Sequence, residues 1–449
     1  MQTIADAAAA LASGRISAAS LVEAALDRIA DPGGEGRRAF VAVHAEAARA
    51  AAAAMDRLRH AGLAPSLWAG IPITIKDLFD EHGHVTRAGS IALADAPPAE
   101  ATATVVARLQ RAGFIVLGRT NMVEFAFSGL GVNPHYGTPL SPWDRATGRL
   151  PGGSSSGAAV AAADHMGFAG LGTDTGGSCR IPAALCGITG FKPTAARIPQ
   201  QGVLPLSTSL DSVGPLARSV ACCHLLDALM AGEEKPEPLA PRPATALRLG
   251  LPRGTFLTED MDPTVGAAFQ RALSRLSVAG ARIEMVDIPE LAELPAVNAA
   301  GGFTAAESWA WHRRLIERKR AEYDPRVLSR ILRGQAIPAA DYIDLLAARA
   351  RIIAAVARRT ASFDAIICPT VPLVPPALSE VAEDAAYNRI NLLLLRNTAV
   401  GNFLDRCSIS LPCHAPGEAP VGLMLTGEHG ADAALFQAAA AVEAVLRQG

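Results

Sequence analysis

From Trp68 onward, short apolar runs closed off by glycine and proline, at residues 71–75, 114–117 and 168–171, alternate with helical patterns at 102–112 and 155–164. Runs of four or five apolar residues fit strands buried on both faces, and the helices between them supply the cover. The chain is thereby constrained to an α/β architecture, a sheet enclosed by helices. The segments 3–30 and 44–61 are alanine-rich and helical in pattern, with Ile4, Leu11, Leu21, Val22, Leu26 and Ile29 spaced mostly three, four or seven apart. Residues 232–243, GEEKPEPLAPRP, read as a linker, because their prolines and charges suit neither a helix nor a strand interior. A strand at 247–251 and helical stretches at 263–279 and 303–358 follow. The strand texture then resumes at 364–368, 408–411 and 421–426, before a closing helix at 431–447. No internal repeat is visible.

Composition removes several classes of function. With 41 Lys and Arg against 43 Asp and Glu, a formal net charge of -2 and no basic run, the chain lacks the electrostatic footprint of nucleic-acid binding. Half of its 449 residues are apolar and 19% are charged, so a large core is available and disorder is excluded. The mean hydropathy of +0.23 comes largely from alanine, as at 45–54, where Glu46 and Arg49 interrupt the run. No stretch is long enough to span a bilayer as a helix. Residues 1–10 show no positive region followed by an apolar one, so no secretory signal is expected. Seven cysteines with no C-x-x-C pair read as buried hydrophobes of a chain in a reducing cytoplasm.

Lysine is scarce: Lys76, Lys192, Lys235 and Lys319 are the only four, and all other basic side chains are arginine. Lys235 and Lys319 stand among charges and read as solvated surface. Lys76 instead ends the apolar run of IPITIKD (71–77). Burial there disfavours the ammonium form and makes a neutral amine available as a base. The competing reading is a buried ion pair of Lys76 with Asp77 or another carboxylate.

The densest chemistry lies in residues 151–182, PGGSSSGAAVAAADHMGFAGLGTDTGGSCRIP. Its first Gly/Ser cluster formally satisfies G-x-S-x-G, but the residues before it make a poor strand, which the nucleophile elbow requires. No P-loop or dinucleotide fingerprint is complete, and no H-E-x-x-H occurs. His82 and His84 alone form no metal site and read as ordinary loop histidines. The second cluster, Thr175-Gly176-Gly177-Ser178, follows the apolar run 168–171, at the end of a strand. Two glycines before a serine let successive N–H groups converge on one point with a hydroxyl beside it, as an oxyanion hole demands. Ser178 needs a base, and no histidine stands in a recognisable relation to it.

These residues resemble the amidase signature family, the Ser-cisSer-Lys hydrolases. The likeness rests on IPITIKD (71–77), GRTNMVEFAFSG (118–129), NPHYGTPLSPWD (133–144), PGGSSSG (151–157), GTDTGGSCRIPA (172–183), GITGFKPT (187–194) and SLDSVGPLARSV (209–220), with CPTVP (368–372) and PVGLMLTG (420–427) near the end. Residues 230–360 contribute least. The resemblance implies a central mixed β-sheet enclosed by α-helices on both faces, built as one domain over 1–449. Its parts are N-terminal helices (1–65), a catalytic core (66–230), a linker with a mainly helical substrate-side segment (231–360), and a C-terminal return to the sheet (361–449).

The resemblance further implies Ser178 as nucleophile, Lys76 as general base and Ser154, on a cis peptide, as the serine between them. The 24-residue separation of Ser154 from Ser178 matches the spacing usual in the family that the sequence resembles, which selects Ser154 over Ser155 and Ser156. Backbone N–H groups of Thr175, Gly176, Gly177 and Ser178 are expected to form the oxyanion hole, with Asp174 and Arg180 bracing the loop. Leu78 and Cys179 depart from the family's frequent residues without touching the three catalytic side chains, and Cys179 is expected to aim away from the oxyanion donors. No metal or organic cofactor is implied. The expected partners are a small-molecule amide or carbamate and, at most, a second copy of the chain, with neither nucleic acid nor membrane. Substrate is expected to meet the loop 125–131 and the helical segment carrying Trp309, Trp311 and Tyr323, although aromatics so spaced also serve as packing. Two other roles are weighed against an independent hydrolase of amides, anilides, esters or carbamates: the glutaminase component of a tRNA-dependent amidotransferase complex, and a non-catalytic binding protein on the same scaffold.

Overall fold

The computed structural model describes residues 3–447. Eleven strands among them form one mixed sheet: β1 (Phe40–Val43), β2 (Pro72–Lys76), β3 (Ile115–Thr120), β4 (Ala169–Thr173), β5 (Thr189–Lys192), β6 (Val213–Ala217), β7 (Arg248–Pro252), β8 (Arg282–Val286), β9 (Ala365–Pro369), β10 (Ser408–Pro412) and β11 (Gly422–Thr426). Their order is β1-β3-β2-β4-β6-β5-β10-β11-β9-β7-β8. The linker at 233–243 carries no helix or strand, yet the chain beyond it rejoins the same sheet, with β9 antiparallel to β11 and β7 parallel to β9.

Every apolar run read as a strand is one, within a residue or two at each end except at the end of β3, which runs three residues beyond the run 114–117. Four strands escape that reading: β1, β5, β6 and β8. β6 is the instructive case. Its sequence, VGPLA, carries glycine and proline in a central strand, where proline forfeits a ladder donor. Pro215 nevertheless faces Leu171 of β4 across an antiparallel register, and all five residues are buried. The stretch 303–358 is three helices, Gly302–Lys319, Pro325–Leu332 and Ala339–Thr360, rather than one. Asp324 caps the second by accepting from the Arg326 N–H at 2.9 Å, with Pro325 at its first position, where the missing N–H costs nothing. Lys319 is also not solvated surface: it donates to the Ala92 carbonyl at 3.0 Å and pairs with Asp95, strapping the helix Gly302–Lys319 to the loop beyond β2.

The topology positions the site. β2 and β4 are parallel neighbours, so their carboxyl ends open on the same edge of the sheet, where α/β proteins hold their ligands. On β4, Gly170 and Gly172 leave room for the helix Ser156–Ala163, whose sequence SGAAVAAA has only small residues and one valine. A side chain at Gly170 would meet the Ala158 Cβ at 2.8 Å, and one at Gly172 the Ser155 Oγ at 2.6 Å. On the helix's other side Gly157 lies against backbone, where an added Cβ would stand 2.3 Å from the Ala39 carbonyl oxygen and 2.7 Å from the Asn121 nitrogen. Gly157→Ala is therefore expected to destabilise the fold by about 1–3 kcal/mol through overpacking. Urea titration checks this, and an unchanged midpoint would show that the helix is not wedged as described.

Candidate active site

β2 is buried throughout and carries Lys76 at its last position. Side chains alternate faces along a strand, so Ile73 and Ile75 share one face while Thr74 and Lys76 share the other. The Lys76 Nζ lies 2.7 Å from the Ser154 Oγ and 2.9 Å from the Thr173 Oγ1, two hydroxyls brought to it by the serine loop and by the end of β4. No carboxylate among the described residues pairs with it. The rival ion pair is excluded by Arg119, whose Nε takes Asp77 Oδ1 at 2.7 Å. Burial lowers the Lys76 ammonium to about 8, against the pull of the Cys179, Asp211 and Asp174 side chains in the opposite direction. Lys192, the other fully buried lysine, is lowered to about 8 as well, chiefly by burial, but it donates to the Pro193 and Arg406 carbonyls at 2.8 and 2.9 Å, groups with no proton to give.

The peptide bond Gly153–Ser154 is cis. The serine loop is pinned on both sides: the Gly153 N–H donates to the Gly129 carbonyl at 2.8 Å, the Val123 N–H to the Ser154 carbonyl at 3.1 Å, and the Ser155 N–H to the Ser178 carbonyl at 3.4 Å. That last bond ties together the two Gly/Ser clusters. The neighbouring serines point elsewhere, with the Ser155 hydroxyl on the Thr173 carbonyl at 3.4 Å and the Ser156 hydroxyl buried without a partner. Lys76 therefore distinguishes Ser154 from its two neighbours by direct contact.

After β4 the chain runs through Asp174–Cys179 into the helix Arg180–Cys186. Asp174 is the hub of this loop. Its carboxylate holds the Arg180 guanidinium through Nη2 at 2.9 Å and Nε at 3.0 Å, and Asn402 Nδ2 reaches its Oδ1 at 2.9 Å. Burial alone would raise the Asp174 carboxyl, yet Arg180, then Lys192 and Asn402, hold it down at about 2. The same carboxylate accepts the Gly177 N–H at 2.8 Å and the Cys179 N–H at 3.1 Å. Of the four N–H groups expected as oxyanion donors, that of Gly177 is engaged by Asp174, while those of Thr175, Gly176 and Ser178 carry no hydrogen bond among the described residues. Gly177 is required for its shape. At φ +134° an added Cβ would fall 2.1 Å from the Thr398 Oγ1. Ser178 retains 4% exposure. Cys179 is fully buried with its thiol toward the Gly214 carbonyl at 3.6 Å, and burial pushes that thiol far up, so it is no nucleophile.

Four further positions support the loop: Thr173 and Asp211 lie within the motifs 172–183 and 209–220, though nothing in the sequence gives their contacts, and Thr398 and Asn402 lie outside every motif. The Thr173 hydroxyl meets Lys76. Asp211 accepts the Thr175 hydroxyl at 2.5 Å and the Leu206 and Ser207 N–H groups at 2.9 and 3.0 Å. Thr398 donates to the Gly176 carbonyl at 2.6 Å, and Asn402 holds both Asp174 and Arg180. Thr398 and Asn402 belong to the helix Asp384–Phe403, more than 200 residues away in sequence, and only the fold reveals the pairing.

The aromatic residues expected beside the substrate are mostly packing. Phe125 and Tyr323 are buried with ring centroids 5.1 Å apart, His312 stands 4.4 Å from Phe125, and of the group only Trp311 is substantially exposed, at 39%. The loop 125–131 does reach the site, through the Gly129 carbonyl on Gly153 and through Gly131, where an added Cβ would lie 2.5 Å from the Gly152 carbonyl oxygen.

Comparison with known proteins shows the family. The Amidase family model matches residues 20–436. The chain is 38% identical to 2-amino-5-chloromuconic acid deaminase of Comamonas testosteroni, over 90% of this chain and 87% of that protein. It is 35% identical to the A-type subunit of glutamyl-tRNA(Gln) amidotransferase from Chloroflexus aggregans, over 99% and 96% of the two chains. Among solved structures, a crystal structure of an amidase superposes with a TM-score of 0.89 at 32% identity, covering 99% of both chains. The chain belongs to the amidase signature family.

Proposed function

We propose that this chain is an independent hydrolase of small-molecule amides, working through Ser178, Ser154 and Lys76 by way of an acyl-enzyme. The observation that carries the reading is a fully buried lysine that pairs with no carboxylate and lies 2.7 Å from a serine hydroxyl on the loop bonded to Ser178. In its neutral form Lys76 keeps two N–H donors, one of which serves Thr173, and a lone pair for the Ser154 proton. Ser154 passes its proton to Nζ as it takes the proton of Ser178, and the Ser178 Oγ bonds to the substrate carbonyl carbon. The charge on the carbonyl oxygen is met by the N–H groups of Thr175, Gly176 and Ser178, held in place by Asp174, Asp211 and Thr398. Collapse of the tetrahedral adduct breaks the C–N bond, and the relayed proton leaves with the amine. Water then enters by the same relay, releasing the acid and restoring Ser178.

Esters, anilides and carbamates present the same carbonyl to the same groups, a carbamate releasing carbon dioxide after hydrolysis. The second reading, the glutaminase component of a tRNA-dependent amidotransferase, is favoured by one observation: such amidotransferase subunits match nearly the full length at 33–35% identity. The two readings part on autonomy. The purified lone chain is expected to release amine from aryl amides, aliphatic amides or aryl carbamates with no other protein added, and turnover confined to glutamine or dependent on partner proteins would move the assignment to the amidotransferase. Ser178→Ala is expected to lower kcat on the order of 10⁴-fold or more with the fold intact by circular dichroism; retained turnover would reject Ser178 as nucleophile.

The base must be deprotonated to act, and burial lowers Lys76 to about 8. Activity is therefore expected to be low in acid, to rise about tenfold per pH unit below that value, and to level off above it. Lys76→Arg, which keeps a charge and removes the titration, is expected to abolish the rise together with the activity. A kcat/KM profile flat between pH 6 and 9 would contradict a lysine base.

A further inference from the structure

His82 and His84 look like loop histidines when read by spacing, but folding adds a residue that spacing cannot show. His44 closes β1 and precedes the helix Ala45–His60, and it sits beside Glu81 and His84 in the turn beyond β2. Its Nε2 lies 2.9 Å from the Glu81 Oε2, and its ring stands over that of His84 with centroids 4.5 Å apart. One ligand atom from each of His44, Glu81 and His84 lies within 4.8 Å of the others. We propose that these three residues form a binding site for a divalent cation of the zinc class, separate from the hydrolytic centre.

The chemistry of the set is that of such an ion: two imidazoles and one carboxylate suit a borderline cation. In a tetrahedral site ligands about 2.1 Å from the ion stand about 3.4 Å apart, so the His44–Glu81 pair at 2.9 Å opens slightly and the wider pairs, within 4.8 Å, close by up to about 1.4 Å when the ion binds. The backbone is already fixed. The His44 N–H donates to the Leu117 carbonyl at 2.8 Å, the His84 N–H to the Glu81 carbonyl at 2.9 Å, and the His84 carbonyl accepts the Ala99 N–H at 2.9 Å. The His84 imidazole is exposed and makes no hydrogen bond among the described residues, so a nitrogen is available. Arg119 Nη1 stands 3.8 Å from Glu81, but the Arg119 charge is shared with Asp77 at 2.7 Å, which leaves Glu81 as net negative charge for the ion. The three residues line a groove of about 630 Å³ together with Glu46, a further carboxylate on the helix Ala45–His60. An ion here joins that helix to the loop beginning at Lys76, and its role is to staple the two segments.

Isothermal titration of the tag-free, chelator-treated full chain with Zn²⁺ tests this, with Co²⁺ absorption as the probe of ligand type. The expected result is one ion per chain, a Co²⁺ spectrum without a sulfur charge-transfer band, and a higher melting temperature with Zn²⁺ present. His84→Ala, at an exposed position, and Glu81→Gln are expected to weaken Zn²⁺ binding at least about tenfold, while His82→Ala leaves it unchanged. Absence of stoichiometric Zn²⁺ binding, equal affinity in His84→Ala, or sulfur ligation of Co²⁺ would each overturn the proposal.

Discussion

The burial of one lysine amine against two hydroxyls is the constraint on which the site depends. Placing Lys76 at 0% exposure with no carboxylate beside it runs against the usual fate of a buried charge, which is pairing. The fold sustains the arrangement because the group can lose its charge. Asp77, the nearest acid in sequence, is drawn off by Arg119, and Asp174, which lies close enough to act on Lys76 through its field, is committed to Arg180 and Asn402. Asp211, whose charge also acts on Lys76, is taken up by the Thr175 hydroxyl and the Leu206 and Ser207 N–H groups, so none of these three acids pairs with the amine and its lone pair stays available to Ser154.

The rest of the architecture follows from bringing three chain segments to that amine. Parallel pairing of β2 with β4 sets Lys76 beside Thr173. A helix of small residues lies on the glycines of β4 and carries the serine loop over the strand ends. Asp174 turns the following loop so that the Gly177 and Cys179 N–H groups point to it, while those of Thr175, Gly176 and Ser178 make no hydrogen bond among the described residues. The Gly177 N–H is taken up by the same carboxylate.

Much of this is legible in the sequence. The apolar runs 71–75 and 168–171 fall on β2 and β4, and the scarcity of lysine singles out Lys76. What stays hidden has two physical causes. Strands such as β6 carry glycine and proline yet are held by register with both neighbours, so tertiary pairing overrides local propensity. Contacts such as those of Asn402 and Thr398 with the Asp174–Gly177 loop join residues far apart in the chain, and single-sequence patterns carry no trace of them. The meeting of His44 with His84 is hidden for the same reason.

The central claim is that burial lowers Lys76, beside Ser154, to about 8, so that a neutral fraction is present near physiological pH and grows as pH rises. With only four lysines in the chain, NMR titration of protein labelled at the lysine side chains resolves each one, and its absence from a Lys76→Met sample identifies the signal. The account predicts a Lys76 midpoint near 8 that moves when Ser154→Ala removes its partner. A midpoint at or above the ordinary lysine value of about 10.4, insensitive to Ser154, would contradict it.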